Sequence, residues 1–114
     1  MAKALYHPQL ADAELAALLD EEPVTVASLD DLAHLADRLA GLDEWVHTME
    51  VNEHRGERQV GRLDFAIMGL DGEDDWAIPL EPSRMRALLQ TKIAAMRASG
   101  LRFSFALWMG ETAD

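Results

Sequence analysis

Apolar residues recur at two different spacings along this chain, and that mixture restricts the fold to one containing both helices and strands. Helical spacing of three or four residues is clearest in four leucines: Leu29, Leu32, Leu35 and Leu39. Strict alternation, the spacing of a half-buried strand, is clearest near the end of the sequence in Phe103, Phe105, Leu107 and Met109. Both patterns are short, so we expect many small elements packed on one core.

Three helices are predicted. The first carries leucines at Leu10, Leu15, Leu18 and Leu19 and is stopped by Pro23. The second begins after Ser28, which forms a capping box with Asp31, and ends at Gly41. The third begins at Glu81-Pro82 and ends at Ser99-Gly100, with an apolar stripe of Met85, Leu88, Leu89, Ile93 and Met96.

Five strands are predicted: one before the second helix, three in succession after it, and the last over Phe103 to Met109. Val24 to Val26 is brief, and the next three cover residues 45–53, 59–70 and 76–80. Asp71-Gly72 is a strong signal for a two-residue hairpin turn, which would pair Leu63 with Leu80. For the preceding hairpin, a three-residue loop of 55–57 or a bulge at Gly61 keeps Met49 and Leu63 on one face.

The resulting order is α-β-α-β-β-β-α-β. It predicts an α+β fold with helices packed on an antiparallel or mixed sheet of about five strands. We expect a single domain over residues 1–114, with residues 1–6 and 111–114 frayed.

Composition excludes several classes of protein. The sequence has no cysteine, so disulfides, thiolate metal sites and a cysteine nucleophile are excluded. No apolar stretch approaches the roughly 20 residues that span a bilayer, and the first six residues do not resemble a signal peptide. We therefore expect a cytoplasmic protein that does not act in a membrane.

Charge indicates the kind of partner. The formal net charge is −11, and ten of the 21 carboxylates lie within residues 1–44, against Lys3 and Arg38. Such a field repels nucleic acid and favours encounter with a basic protein. Solubility alone is the competing explanation of this acidity.

No pattern typical of catalysis or of metal binding is present. The four histidines, at positions 7, 34, 47 and 54, lack the spacing of a metal site. Glu50, Asn52 and Asp64 could cluster on a sheet face, where cross-strand ion pairs are the simpler interpretation. We expect no catalytic, cofactor-binding or metal-binding residue, and therefore no enzyme.

Two sets of residues are candidates for binding a partner. Alternation in the last strand turns Trp108 away from the core, beside Met68 and Val46 of neighbouring strands. The alternative is that the first helix covers this face. The second set comprises the acidic residues Asp20, Glu21, Glu22, Asp30, Asp31 and Asp37.

The sequence therefore predicts a small acidic protein-binding module, such as an inhibitor or immunity-type antagonist of a basic, nucleic-acid-binding protein. Two alternatives stay open. One is a ligand-binding domain or small enzyme with a pocket near Trp45, His47 and Trp76; the other is a homodimer or larger homo-oligomer that uses the Trp108 face.

Overall fold

The computed structural model describes residues 4–21, 23–68 and 81–110. Its elements follow the chain in this order: β1 (Ala4–Leu5), α1 (Asp12–Leu19), β2 (Val24–Val26), α2 (Leu29–Gly41), β3 (Val46–Arg55), β4 (Arg58–Gly61), α3 (Pro82–Ser99) and β5 (Phe103–Met109). The predicted α+β class is confirmed, whereas the predicted order α-β-α-β-β-β-α-β is wrong at its start, because a strand precedes α1. The strand predicted over residues 76–80 and the predicted Asp71-Gly72 turn lie outside the described residues.

One sheet holds all the described strands, in the spatial order β1-β2-β5-β3-β4. Four of them, β2, β5, β3 and β4, run antiparallel to their neighbours, and the two-residue β1 adds a parallel edge beside β2. The last strand in sequence is therefore central in space. It lies between β2 and β3, so Leu107 is opposite both Val24 and Met49.

The ends of α2 and α3 follow the capping signals. Ser28 accepts a hydrogen bond from the backbone N–H of Asp31 at 3.1 Å, which starts α2 where the sequence predicted. Pro82 opens α3, and Gly100 ends it with a φ of 70°, the left-handed conformation that glycine adopts without steric cost. The end of α2 differs in detail, because the left-handed residue there is Asp43 rather than Gly41.

All three helices lie on one side of the sheet. Fully buried residues of β2, β3 and β5 face Leu32, Leu35 and Leu39 of α2 and Met85, Leu89, Ile93 and Met96 of α3. Leu15 and Leu19 of α1 join the same core. The Asp12 carboxylate of α1 also accepts a hydrogen bond at 2.9 Å from Arg38 of α2. The first helix therefore packs beside α2, and the alternative that it covers the other sheet face is wrong.

The beginning of the chain is more ordered than predicted. Ala4–Leu5 pairs with β2, and the Tyr6 backbone N–H donates to Thr25 O at 2.8 Å. The Tyr6 side chain is buried, and its hydroxyl is hydrogen-bonded to His34 Nδ1 at 2.6 Å. Residues 4–6 are therefore part of the fold, and their predicted fraying is wrong.

The strand predicted over residues 59–70 is interrupted. β4 ends at Gly61, and residues 62–66 form a turn before Ile67 rejoins β3 through paired hydrogen bonds with Met49. Leu63 is consequently 83% exposed instead of lying in the core. The hairpin loop also differs, since Arg55 pairs with Arg58 around a two-residue loop, Gly56-Glu57, in which Gly56 has a φ of 61°.

A buried carboxylate lies beside the interruption. Glu53 occupies an inward position of β3 and is 3% exposed, which requires cationic partners. Arg55 donates two hydrogen bonds to it, at 2.6 and 3.1 Å, and Arg62 donates a third. Arg62 also holds Asp64 and lies over the Phe65 ring. The predicted grouping of Asp64 with Glu50 is therefore wrong, because Asp64 and Arg62 assemble around Glu53.

We expect the Glu53 cluster to make the fold sensitive to acid. Hydrogen bonds from Arg55, and then from Arg62, hold the pKa of Glu53 below its usual range, and Arg62 does the same for Asp64. A carboxyl with a lowered folded-state pKa stabilises the fold above its unfolded pKa of about 4.3 and loses that contribution as the pH falls through the folded value. Glu53→Gln should lower the urea midpoint at pH 7 and reduce its further fall between pH 5 and 3. Glu57→Gln, at the exposed hairpin loop, is the control, and equal pH profiles for both variants would contradict this role.

Candidate partner-binding site

Five carboxylates lie around the carboxyl ends of α1 and α2, and we call this group the acidic end: Asp20, Glu21, Asp37, Asp43 and Glu44. Asp20 caps α1, and Asp43 and Glu44 follow α2 directly. Asp20, Glu21, Asp37 and Asp43 are exposed. Within the described residues, Asp20, Glu21 and Asp37 form no ion pair, so their charges remain available to a partner.

The loop that carries Asp43 and Glu44 is fixed by one arginine of α3. Arg86 donates from Nε to the Glu44 carbonyl at 2.9 Å and from Nη2 to the Asp43 carboxylate at 3.1 Å. Asp43 has a φ of 57°, in the left-handed region that few residues other than glycine, asparagine and aspartate adopt. The loop is thus held in a specific conformation by one cation, which binds the Asp43 carboxylate and the Glu44 backbone carbonyl.

Crowding of negative charge at this end affects Glu44. Partial burial raises the pKa of the Glu44 carboxyl, and the neighbouring Asp20 and Asp43 carboxylates raise it further, whereas Arg86 acts in the opposite direction. The Asp20 carboxylate of α1 is thus one of the charges that act on the loop after α2. A cation supplied by a partner would relieve the repulsion among these carboxylates.

The predicted acidic set is divided by the structure. Asp20, Glu21 and Asp37 belong to the acidic end, and Glu22 lies outside the described residues. Asp30 and Asp31 lie in the first turn of α2, where negative charge stabilises the helix dipole. Asp30 is also paired with Arg97 at 3.2 Å. Along α2, Asp30 and Asp37 are seven residues apart, which is about 10 Å.

A groove borders the acidic end between α2 and α3. It has a volume of about 260 Å³, and its floor consists of Leu39, Val46 and Leu89. Three alanines leave the space open: Ala36 and Ala40 of α2 and Ala87 of α3. Asp37, Arg86 and Gln90 form the polar rim. No sequence motif marked this groove, because it depends on how two helices approach each other.

The second predicted surface is the outer face of the sheet, the side away from the helices. Trp108 lies there, half-buried and opposite Thr48, and Met68 is 63% exposed. Val46 is buried instead, so its predicted outward position is wrong. A bulge at His47, between Val46 and Thr48, shifts the alternation by one residue and turns Val46 inward.

A serine–histidine pair on the outer face was missed by the sequence reasoning. His54 Nε2 and Ser104 Oγ are hydrogen-bonded at 2.7 Å across β3 and β5. His54 also lines a cavity of about 310 Å³ together with Ser28, Asp30 and Arg102. A nucleophilic serine needs a base that a third group orients, and no described residue is hydrogen-bonded to His54 Nδ1. We therefore interpret the pair as a cross-strand hydrogen bond.

The structure gives little support to the predicted alternative pocket near Trp45, His47 and Trp76. Trp45 is buried with its ring against Gly110, and His47 is half-buried, with Nδ1 hydrogen-bonded to Thr48 Oγ1 at 2.8 Å. Trp76 lies outside the described residues. Neither the α2–α3 groove nor the His54 cavity is lined by Trp45 or His47.

Two further searches cover only residues 4–21, 23–68 and 81–110. Within them, no three His, Asp or Glu side chains are grouped so that they could hold a metal ion. None of the helices there combines the length and the apolar character needed to cross a bilayer.

The acidic end and its groove are therefore the features of the described residues best suited to contact a partner. Comparison of the chain with protein-family models, with curated proteins and with solved structures found no match.

Proposed function

We propose that this protein is a small binding module that uses the acidic end to bind a basic protein. The carrying observation is the set of exposed carboxylates at Asp20, Glu21 and Asp37, which pair with no cation among the described residues and lie next to the constrained Asp43–Glu44 loop. Carboxylates that serve only solubility need no fixed arrangement, whereas Arg86 and a left-handed Asp43 hold the Asp43–Glu44 loop in place.

The proposed partner class is a nucleic-acid-binding protein. Such proteins present basic clefts shaped for phosphate, and a rigid cluster of carboxylates offers the complementary charge. Occupying the cleft would exclude nucleic acid, so the module would act as an inhibitor or immunity-type antagonist. With a net charge of −11, long-range attraction should accelerate encounter by about 10- to 1,000-fold over an uncharged surface.

Capture from cell extract tests the proposal through a matched pair of triple variants. Asp20→Asn, Asp37→Asn and Glu44→Gln together remove three charges from the acidic end. Asp30→Asn, Glu50→Gln and Glu57→Gln remove the same charge elsewhere. Wild type and the second variant should retain basic proteins at about 0.05 M salt, and the first should lose them. All should lose them near 0.5 M, where the Debye length falls to about 4 Å.

The captured protein is then tested for function. Adding the module should displace nucleic acid from it, and the association rate should fall at least about tenfold for the acidic-end variant alone. The proposal is wrong if no basic protein is retained by wild type at low salt. Equal retention by the two triple variants would show that net charge matters and the acidic end does not.

A further inference from the structure

The α2–α3 groove offers an apolar contact directly beside the acidic end. Its floor residues Leu39, Val46 and Leu89 are at most 2% exposed, so they lie beneath the surface, and the exposed Ala40 and Ala87 supply the apolar surface that a partner meets first. Ala36, Ala40 and Ala87 limit its walls to methyl groups. Apolar concavities of this kind are where interfaces place their anchoring side chains.

The size of the groove restricts its occupant. Cavities that hold drug-sized ligands or cofactors measure about 300–1,000 Å³ and enclose most of the ligand. This groove has about 260 Å³ and is open along one side. It can therefore take one large apolar side chain of a partner, but it is small for a complete cofactor.

The charge around the groove determines which partner residues can flank that apolar side chain. Asp37 lies on the rim of the groove. Asp43 and Glu44 lie next to the rim, because both are hydrogen-bonded to the rim residue Arg86. The Arg86 guanidinium is already engaged by Asp43, so it does not present a free cation. Asp20 adds a further negative charge near Glu44. The complement of this rim is a ring of lysine or arginine side chains.

We infer that the α2–α3 groove receives a single bulky apolar residue from a basic segment of the partner, whose flanking cations face Asp37, Asp43 and Glu44. This inference rests on the proposed function and names the segment that the acidic end would recognise. The apolar anchor residue contributes affinity that salt does not screen, whereas the flanking cations increase the rate at which the complex forms.

Two synthetic peptides test the inference. One has nine residues with a phenylalanine between two runs of lysine and arginine, and the other has alanine in place of the phenylalanine. Fluorescence anisotropy at about 0.05 M salt should show the phenylalanine peptide binding at least about tenfold more tightly to wild type. The methyl signals of Val46 and Leu89 should shift only with that peptide.

A filled groove should remove this preference. Ala87 is exposed on α3, where leucine preserves the helix, so Ala87→Leu should bind both peptides with the affinity of the alanine peptide. Ala98→Leu makes the same change about 16 Å along the helix and should behave as wild type. The acidic-end triple variant should weaken both peptides.

The outcomes separate the two proposals. If both peptides bind wild type equally and the acidic-end variant weakens both, the groove inference is wrong and the acidic end stands. If Ala87→Leu keeps the preference for phenylalanine, the anchor lies elsewhere and the inference is also wrong. If neither peptide binds and extract yields no basic protein, the proposed function fails together with the inference.

Discussion

Leu107→Asp should unfold the protein, whereas Leu63→Asp should leave it folded. Leu107 is completely buried at the centre of the sheet, between Val24 and Met49. A carboxylate there would have no cationic partner, and a buried unpaired charge costs several kcal/mol against a total free energy of unfolding of about 5–15 kcal/mol. Leu63 is 83% exposed in the turn of residues 62–66, so the same change should cost less than about 0.5 kcal/mol.

This pair of variants is matched in chemistry and differs only in environment. Circular dichroism and the dispersion of amide signals in an NMR spectrum would report folding, and urea titration would give the free energy of unfolding for any variant that folds. Comparable destabilisation by both substitutions would show that residues 62–66 pack against the core. A folded Leu107→Asp protein would disprove the central position of β5.

Gly110→Ala should lower the free energy of unfolding by about 1–3 kcal/mol, the usual cost of overfilling a packed site. The Trp45 ring lies so close to Gly110 that an added Cβ would overlap three ring atoms. The ring cannot easily move away, because Trp45 is 4% exposed and its carbonyl accepts a hydrogen bond from the Gly110 N–H at 2.9 Å.

A double-mutant cycle isolates this contact. In a Trp45→Leu background, the extra methyl of Gly110→Ala should cost less than about 0.5 kcal/mol, because the overlapping ring is gone. Gly61→Ala is the control glycine, since nothing lies within 4 Å of its added Cβ, and it should be neutral or slightly stabilising. An equal cost of Gly110→Ala in both backgrounds would exclude the ring as its cause.

Helix ends could be predicted because their signals are local. Ser28 and Asp31 lie three residues apart, and Gly100 terminates α3 through its own backbone conformation. The inward face of β5 was also predicted correctly from the alternation of its residues, because Phe103, Phe105 and Leu107 all face the core.

The prediction of a continuous strand over residues 59–70 was wrong, because it considered the alternation of apolar residues and left out the charged residues. Leu63 and Phe65 have the spacing of a strand face, yet Glu53 lies in the same phase of β3 as Met49 and Val51. A carboxylate at an inward position requires cationic partners, and Arg62 already lies on that face, because its backbone N–H donates to Val51 O in the hairpin register. A strand that continued in this register would turn Leu63 and Phe65 outward and Asp64 inward.

Other features depend on pairing that no local pattern encodes. The bulge at His47 reverses the orientation of Val46, and the contact of His54 with Ser104 requires the register of β3 against β5. The acidic end was predicted only as charge. The separation of Asp37 from Asp30 by about 10 Å follows from the rise of α2.

The central position of β5 has a consequence for synthesis on the ribosome. Until Met109 has been made, β2 and β3 have no strand between them, and both present unpaired backbone groups along an open edge. Nascent chains and fragments that stop before Phe103 would therefore expose two unpaired strand edges at once, which favours aggregation. Such truncated products should depend on chaperones, whereas a chain that includes β5 pairs β2 and β3 through it.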